Sequence, residues 1–141
     1  MTVENGRFKM RDNYILDHHD IVLEPDLVKW ARWMAVADRT VAKTDNGVIL
    51  ISTVFLGTDH NSRGGPPLVF ETMTFLTDGF EAETARLKVD VRGLDVWRWS
   101  TWDQADDGHW EVVRQMFTRL DQFKGPVAEV IKEMRIDVPT K

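Results

Sequence analysis

The stretch VILISTVFLGTDHNSRGGPPLVFETMTFL, residues 48–76, decides the fold. Its ends are apolar runs rich in β-branched and aromatic residues, and between them lies a polar loop, 57–67, with three glycines and two prolines. Such runs on either side of turn residues read as two antiparallel strands. The first run, 48–56, is apolar on both faces, which predicts a central place in a sheet. A turn centred on Ser62 sets Thr53 opposite Glu71. Ile49, Ile51, Thr53 and Phe55 then share a face with Val69, Glu71, Met73 and Phe75. A threonine and a carboxylate become the one polar pair on an apolar surface, and a one-residue slip would separate them.

Working outward, RTVAKT and VILISTVFL flank Asp45-Asn46-Gly47, a hairpin signal because Asn-Gly favours a type I′ turn. Residues 13–17 and 21–23 read as short strands around His18-His19-Asp20. Glu24-Pro25-Asp26 opens a helix, with proline suited to a first turn and acids favouring the helix dipole. In LVKWARWMAVA, Leu27, Trp30, Ala31 and Met34 share a face that Trp33 and Ala37 widen, predicting a helix covered on more than one side. Downstream, 77–86 show no clear period, and LKVDV (87–91) alternates as a strand with 94–100 as its hairpin partner. Ser100 or Thr101 caps a long helix from about 102 to 123, since Ser100-x-x-Asp103 and Thr101-x-x-Gln104 both resemble capping boxes. Val113, Met116, Phe117 and Leu120 face inward on it. Gly125-Pro126 ends that helix and starts a shorter one through Met134, and the tail after about residue 135 is expected to fray. With no repeat or linker, residues 1–141 read as a single α+β domain, an antiparallel β-sheet with helices packed mainly on one face.

Composition narrows the function classes. The chain has 141 residues, 43% hydrophobic and 29% charged, with a formal charge of −5. Its lysines and arginines are scattered among acids, so general nucleic-acid binding is not expected. The absence of cysteine excludes disulfides, thiolate metal sites and a cysteine nucleophile. The N-terminus lacks an apolar signal segment and the longest apolar run is too short to span a bilayer, so a cytoplasmic protein without membrane contact is expected. Six tryptophans, Trp30, Trp33, Trp97, Trp99, Trp102 and Trp110, furnish a core, a stacking surface for a nucleotide ring, or a subunit interface. Self-association would cover those left exposed.

Candidate site residues gather around the loop. On an apolar face Glu71 must be hydrogen-bonded, paired or protonated. One reading makes it a lock for the loop through backbone amides or Arg63; the other makes it a ligand-binding or catalytic group beneath Asp59, His60, Asn61 and Arg63. His109 shares a helical stripe with Ala105, Val112 and Met116, so it is a hydrogen-bonded core residue or a ligand. Gly108 beside it costs about 1 kcal/mol against alanine in a helix, which close approach of a backbone or ligand would explain. Asp59, His60, Glu71 and His109 are metal-ligand types, but no diagnostic spacing joins them, and neither a metal nor a cofactor is expected. Adjacent His18 and His19 point to different sides and read as a solvated turn. Ser62-Arg63-Gly64-Gly65 offers backbone amides and one cation to an anion without matching a phosphate-loop pattern. Ser52, Thr53 and Ser62 lack a nucleophile elbow, which leaves covalent hydrolysis little support.

The segments STVFLGTDHN (52–61), GPPLVFETM (65–73) and STWDQADDGHWEVV (100–113), with VKWARWM (28–34) upstream, resemble a family of short proteins from tailed phages and prophages. The His18-His19 turn and LKVDVRG (87–93) stand outside that pattern. The resemblance implies an origin and a size, and assigns no catalytic residue. Small accessory phage proteins often bind a host enzyme or sequester a signalling nucleotide. The expectation is therefore a phage accessory binding protein acting in the infected host cell, with counter-defence as a role. Its partner would be a small anionic, nucleotide-like ligand or a host protein, held by Thr53, Asp59, His60, Asn61, Arg63, Glu71, His109 and Trp102. A small, metal-assisted hydrolase using Glu71 or His60 as base is the alternative, and a virion or scaffold component is the second.

Overall fold

The computed structural model describes residues 2–4, 7–9, 11–46, 49–76 and 96–122. The strands proposed at 87–91, the segment 77–86, the second helix through Met134 and the tail lie outside them. The fold is α+β. Strands β1 (Thr2–Glu4) and β2 (Arg7–Lys9) form a small antiparallel hairpin that the polar N-terminal sequence did not announce. A second hairpin joins β3 (Tyr14–Asp17) to β4 (Asp20–Leu23). Helix α1 (Leu27–Val36) follows, and then the main sheet: β5 (Thr40–Asp45), β6 (Ile49–Phe55), β7 (Phe70–Leu76) and β8 (Val96–Trp99), antiparallel in that order. Helix α2 (Trp102–Gln122) crosses one face of it. β6 is central among these strands, as its two-sided apolar pattern required.

The register corrects one expectation. Thr53 lies opposite Thr72, and Glu71 lies opposite Val54. The pairing runs on through the Leu56 N–H to Val69 O bond of 2.7 Å, so the turn is centred between Ser62 and Arg63 rather than on Ser62. That half-residue shift inverts β7. Phe70, Thr72 and Thr74 now face α2 and are buried with Ile49, Ile51, Thr53 and Phe55. Glu71 and Met73 turn to the other face. The physical reason is the cost of burying a carboxylate among apolar groups: threonine hydroxyls find partners inside, whereas Glu71 reaches a cation at the opposite surface.

α2 docks through Ala105, His109, Val112 and Met116, all buried. Its start uses Thr101, whose Oγ1 accepts from Gln104 N–H at 3.1 Å, while Gln104 Oε1 returns to accept from Ser100 N–H at 3.0 Å. Gly108 is explained by packing. A Cβ there would overlap Cζ2 and Cη2 of Trp99, so its hydrogen lets the indole lie against the helix backbone.

α1 behaves differently from expectation. Asp26 is its N-cap, accepting from Val28 N–H at 3.0 Å and Lys29 N–H at 3.2 Å, and Pro25 stands just before the helix rather than in its first turn. No α1 residue is fully buried, and Leu27, Ala31, Val28 and Val36 are exposed, so one side is covered and not two. The helix packs against β3 and the end of β6. Trp30 Nε1 donates to the carbonyls of Tyr14 and Gly57, both at 3.1 Å, and Met34 sits where a Cβ on Gly57 would be, 2.6 Å from its sulfur. Gly57 also has φ +80, a conformation that glycine adopts freely. Trp33 closes the contact edge-on to Phe55, with ring centroids 5.7 Å apart.

Candidate functional site

The predicted residues fall into four places. The first is inside. His109 is fully buried, with Nδ1 2.8 Å from Thr53 Oγ1 and Nε2 2.8 Å from Thr44 Oγ1. Thr53 Oγ1 lies 2.6 Å from Thr72 Oγ1, which accepts from Trp99 Nε1 at 2.9 Å. Thus one polar chain joins α2 to all four strands of the main sheet. The indole N–H is the one fixed donor. One order that satisfies every link has Trp99 donate to Thr72, Thr72 to Thr53 and Thr53 to Nδ1, with Nε2 donating to Thr44. Every link then has one donor and one acceptor. An imidazolium would donate from both nitrogens and leave one hydroxyl proton without an acceptor in the chain. Burial lowers the His109 pKa below the ordinary histidine value, with Asp106 pulling weakly the other way. Thr74, next along the buried side of β7, has an Oγ1 with no hydrogen-bond partner.

The second place is the opposite sheet face. Glu71 Oε2 accepts from Arg98 Nε at 3.1 Å, and its side chain is 12% exposed. Arg98 stands directly across from it on β8. Glu71 and Thr53 therefore face away from each other, and the expected pair is replaced by Thr53–Thr72 within and Glu71–Arg98 without.

The third place is the loop from Leu56 to Val69. Asp59 Oδ1 accepts from the backbone N–H groups of Asn61 at 2.8 Å and Leu68 at 2.9 Å. Asn61 Nδ2 donates to the carbonyls of Gly64 at 2.9 Å and Pro66 at 2.8 Å, and its Oδ1 accepts from Arg63 N–H at 3.0 Å. His60 Nδ1 lies 2.7 Å from the Thr58 carbonyl, which can only accept, so Nδ1 is the donor. The loop is anchored at its base by the Asp59 N–H to Asp12 O bond of 3.0 Å and the Thr58–Asn13 pair. The negative charges of Asp12 and Asp59 help to raise the neighbouring Tyr14 phenol, after burial itself. At the tip, Gly64 (φ 81) and Gly65 (φ 100) turn the chain, and the Arg63 guanidinium has no hydrogen bond or ion pair with any described residue.

The fourth place holds Trp102. Its indole stacks on His19, ring centroids 3.8 Å apart and planes 5° from parallel, and meets Phe70 edge-on at 6.2 Å. The His18-His19 turn is thus divided. His18, at φ 54, is exposed and paired only with Asp17 at 2.9 Å, while His19 covers the start of α2.

Among the described residues no cluster of three or more histidine, aspartate or glutamate side chains is arranged to hold a metal ion. Arg98, Thr44, Thr72 and Trp99 were missed as partners. The signal was the alternation in VWRW and FETMT, which puts Trp97, Trp99, Thr72 and Thr74 on one face and Arg98 with Glu71 on the other. No helix of the described residues is long and apolar enough to cross a membrane. Comparison with family models, curated proteins and solved structures finds no match for the chain.

Proposed function

We propose that the chain is a phage accessory protein that acts by binding, taking a small anionic, nucleotide-like ligand at the tip of the 56–69 loop. The observation that carries this reading is the division of labour in the loop. Asp59 and Asn61 fix its shape from within, and Arg63, at the exposed tip beside two glycines, is a cation without a partner among the described residues. A loop ordered before binding loses less conformational entropy on association. The guanidinium suits phosphate geometry. The Gly64 and Gly65 amides, which donate to no described group, add further donors for an anion.

Catalysis has weaker support. Of the two candidate bases, Glu71 is held by Arg98, and His60 is tied through Nδ1 to the Thr58 carbonyl. The experiment is a thermal-shift screen against mono-, di- and cyclic nucleotides, followed by chromatography of the nucleotide. A rise in Tm that Arg63→Ala removes, with the nucleotide recovered intact, supports binding. A nucleotide consumed in the assay supports the hydrolase. No shift with any nucleotide leaves the host-protein reading in its place.

A further inference from the structure

Among the described residues, β4 leaves one edge unpaired. In the β3–β4 ladder the Glu24 N–H bonds Asn13 O at 2.9 Å, and the alternation of an antiparallel pair then assigns the inward bonds to Val22 and Asp20. Tyr14 confirms the alternation, since its N–H points out of this ladder to Gly57 O at 2.7 Å. Ile21 and Leu23 therefore direct their N–H and C=O groups away from β3, where the two-stranded sheet has no further strand among the described residues. Beside this backbone edge Val22 is 41% and Leu23 52% exposed. Natural edges are commonly blunted by a central lysine, a proline or a bulge. This one has none of these between Ile21 and Leu23. Acids bracket it instead, Asp20 at one end, Glu24 and Asp26 at the other.

We propose that the β4 edge receives an extended segment of another protein, with an apolar centre flanked by lysine or arginine, as a third strand. Main-chain bonds from Ile21 and Leu23 supply the register, Val22 and Leu23 the apolar contact, and the bracketing carboxylates the charge preference. A second copy of this chain fits poorly. Antiparallel pairing about Val22 sets Asp20 opposite the other copy's Glu24 at both ends, and like charges directly opposite repel. This surface is separate from the Arg63 loop and independent of the reading given for it.

Two labelled peptides test the proposal by fluorescence anisotropy, one with the sequence Lys-Val-Thr-Val-Lys and one with Glu-Val-Thr-Val-Glu. The lysine peptide is expected to bind and the glutamate peptide not. Leu23→Pro removes an outward N–H without touching the inner ladder, and Val22 is already extended as a residue before proline must be. It should weaken the lysine peptide about tenfold, the worth of roughly one net hydrogen bond. The Asp20→Lys/Glu24→Lys variant leaves the edge backbone intact and should reverse the peptide preference, which keeps the test decisive if Leu23→Pro unfolds. Binding of neither peptide, equal binding of both, or a preference unchanged by charge reversal overturns the proposal. So does a dimer in sedimentation that Leu23→Pro dissolves, because the occupant is then a second copy.

Discussion

His109 on α2 and Thr53 on β6 meet 2.8 Å apart, Nδ1 to Oγ1, and solvent reaches neither side chain. The contact ties the helix to the centre of the sheet through a hydrogen bond that water cannot replace. His109→Leu fills a similar volume but strands the hydroxyls of Thr53 and Thr44. It should cost about 2–4 kcal/mol in urea denaturation. Adding Thr53→Val removes one stranded partner, and the double variant should recover about 1 kcal/mol over additivity. Strict additivity would mean that the two groups do not act together.

The same burial sets a pH dependence. The folded pKa of His109 lies below its unfolded value of about 6.5, so the unfolded chain takes up the proton first as pH falls. The stabilisation is complete above about pH 6.5 and declines below it, by up to about 1.4 kcal/mol per pH unit until the lowered pKa is reached. Comparing urea midpoints of the wild type and His109→Gln at about pH 7.5 and pH 5.5 isolates this group. The gap between the two proteins should narrow at the lower pH. A gap that widens would contradict a neutral, buried imidazole.

Among the described residues, Thr74 is the one with a buried side-chain hydroxyl that has no partner. Thr74→Val keeps the shape and removes the polar atom, and β-branching suits the strand equally. Stability should rise by about 1 kcal/mol. A loss of similar size would show that the hydroxyl is solvated or bonded in solution.

Gly108→Ala should destabilise even though alanine is the better helix former by about 1 kcal/mol. The new methyl group would overlap the Trp99 indole, and relieving such overpacking costs roughly 1–3 kcal/mol. Thermal unfolding with tryptophan fluorescence reads both the stability and the displaced ring.

Glu71→Gln, by contrast, should cost less than about 1 kcal/mol, because Arg98 is partly exposed and such pairs are weak. A loss of several kcal/mol would place Glu71 in a role beyond the Arg98 pair.

Much of this architecture was legible in the residues. The two-sided apolar character of 48–56 gave the central strand, and Thr101-x-x-Gln104 the start of α2. The β5–β6 hairpin was also legible, but Asp45 pairs with Leu50, where a turn centred on Asn46-Gly47 would pair it with Val48. Periodicity also put His109 toward the sheet. What periodicity could not give was the register across a loop held by its own side chains. Whether that turn centres on a residue or between two depends on how Asp59 and Asn61 fold it, and that half step decides which face Glu71 takes. For the same reason the grouping around Glu71 dispersed, while the loop residues Asp59, His60, Asn61 and Arg63 stayed together. α1 misled differently. Its two tryptophans suggested wide burial, but both serve the same side, Trp30 at Gly57 and Trp33 at Phe55.

Arg63, without a partner among the described residues, and the amides beside it are the anion-binding surface we propose. A titration of ATP into isotopically labelled protein, followed by amide and arginine side-chain NMR shifts, tests this. Saturable shifts are expected at Ser62, Arg63, Gly64 and Gly65 that vanish in Arg63→Ala, with the Thr53–His109 core unmoved. Shifts centred on Glu71 and Arg98, or a response that survives Arg63→Ala, would contradict it.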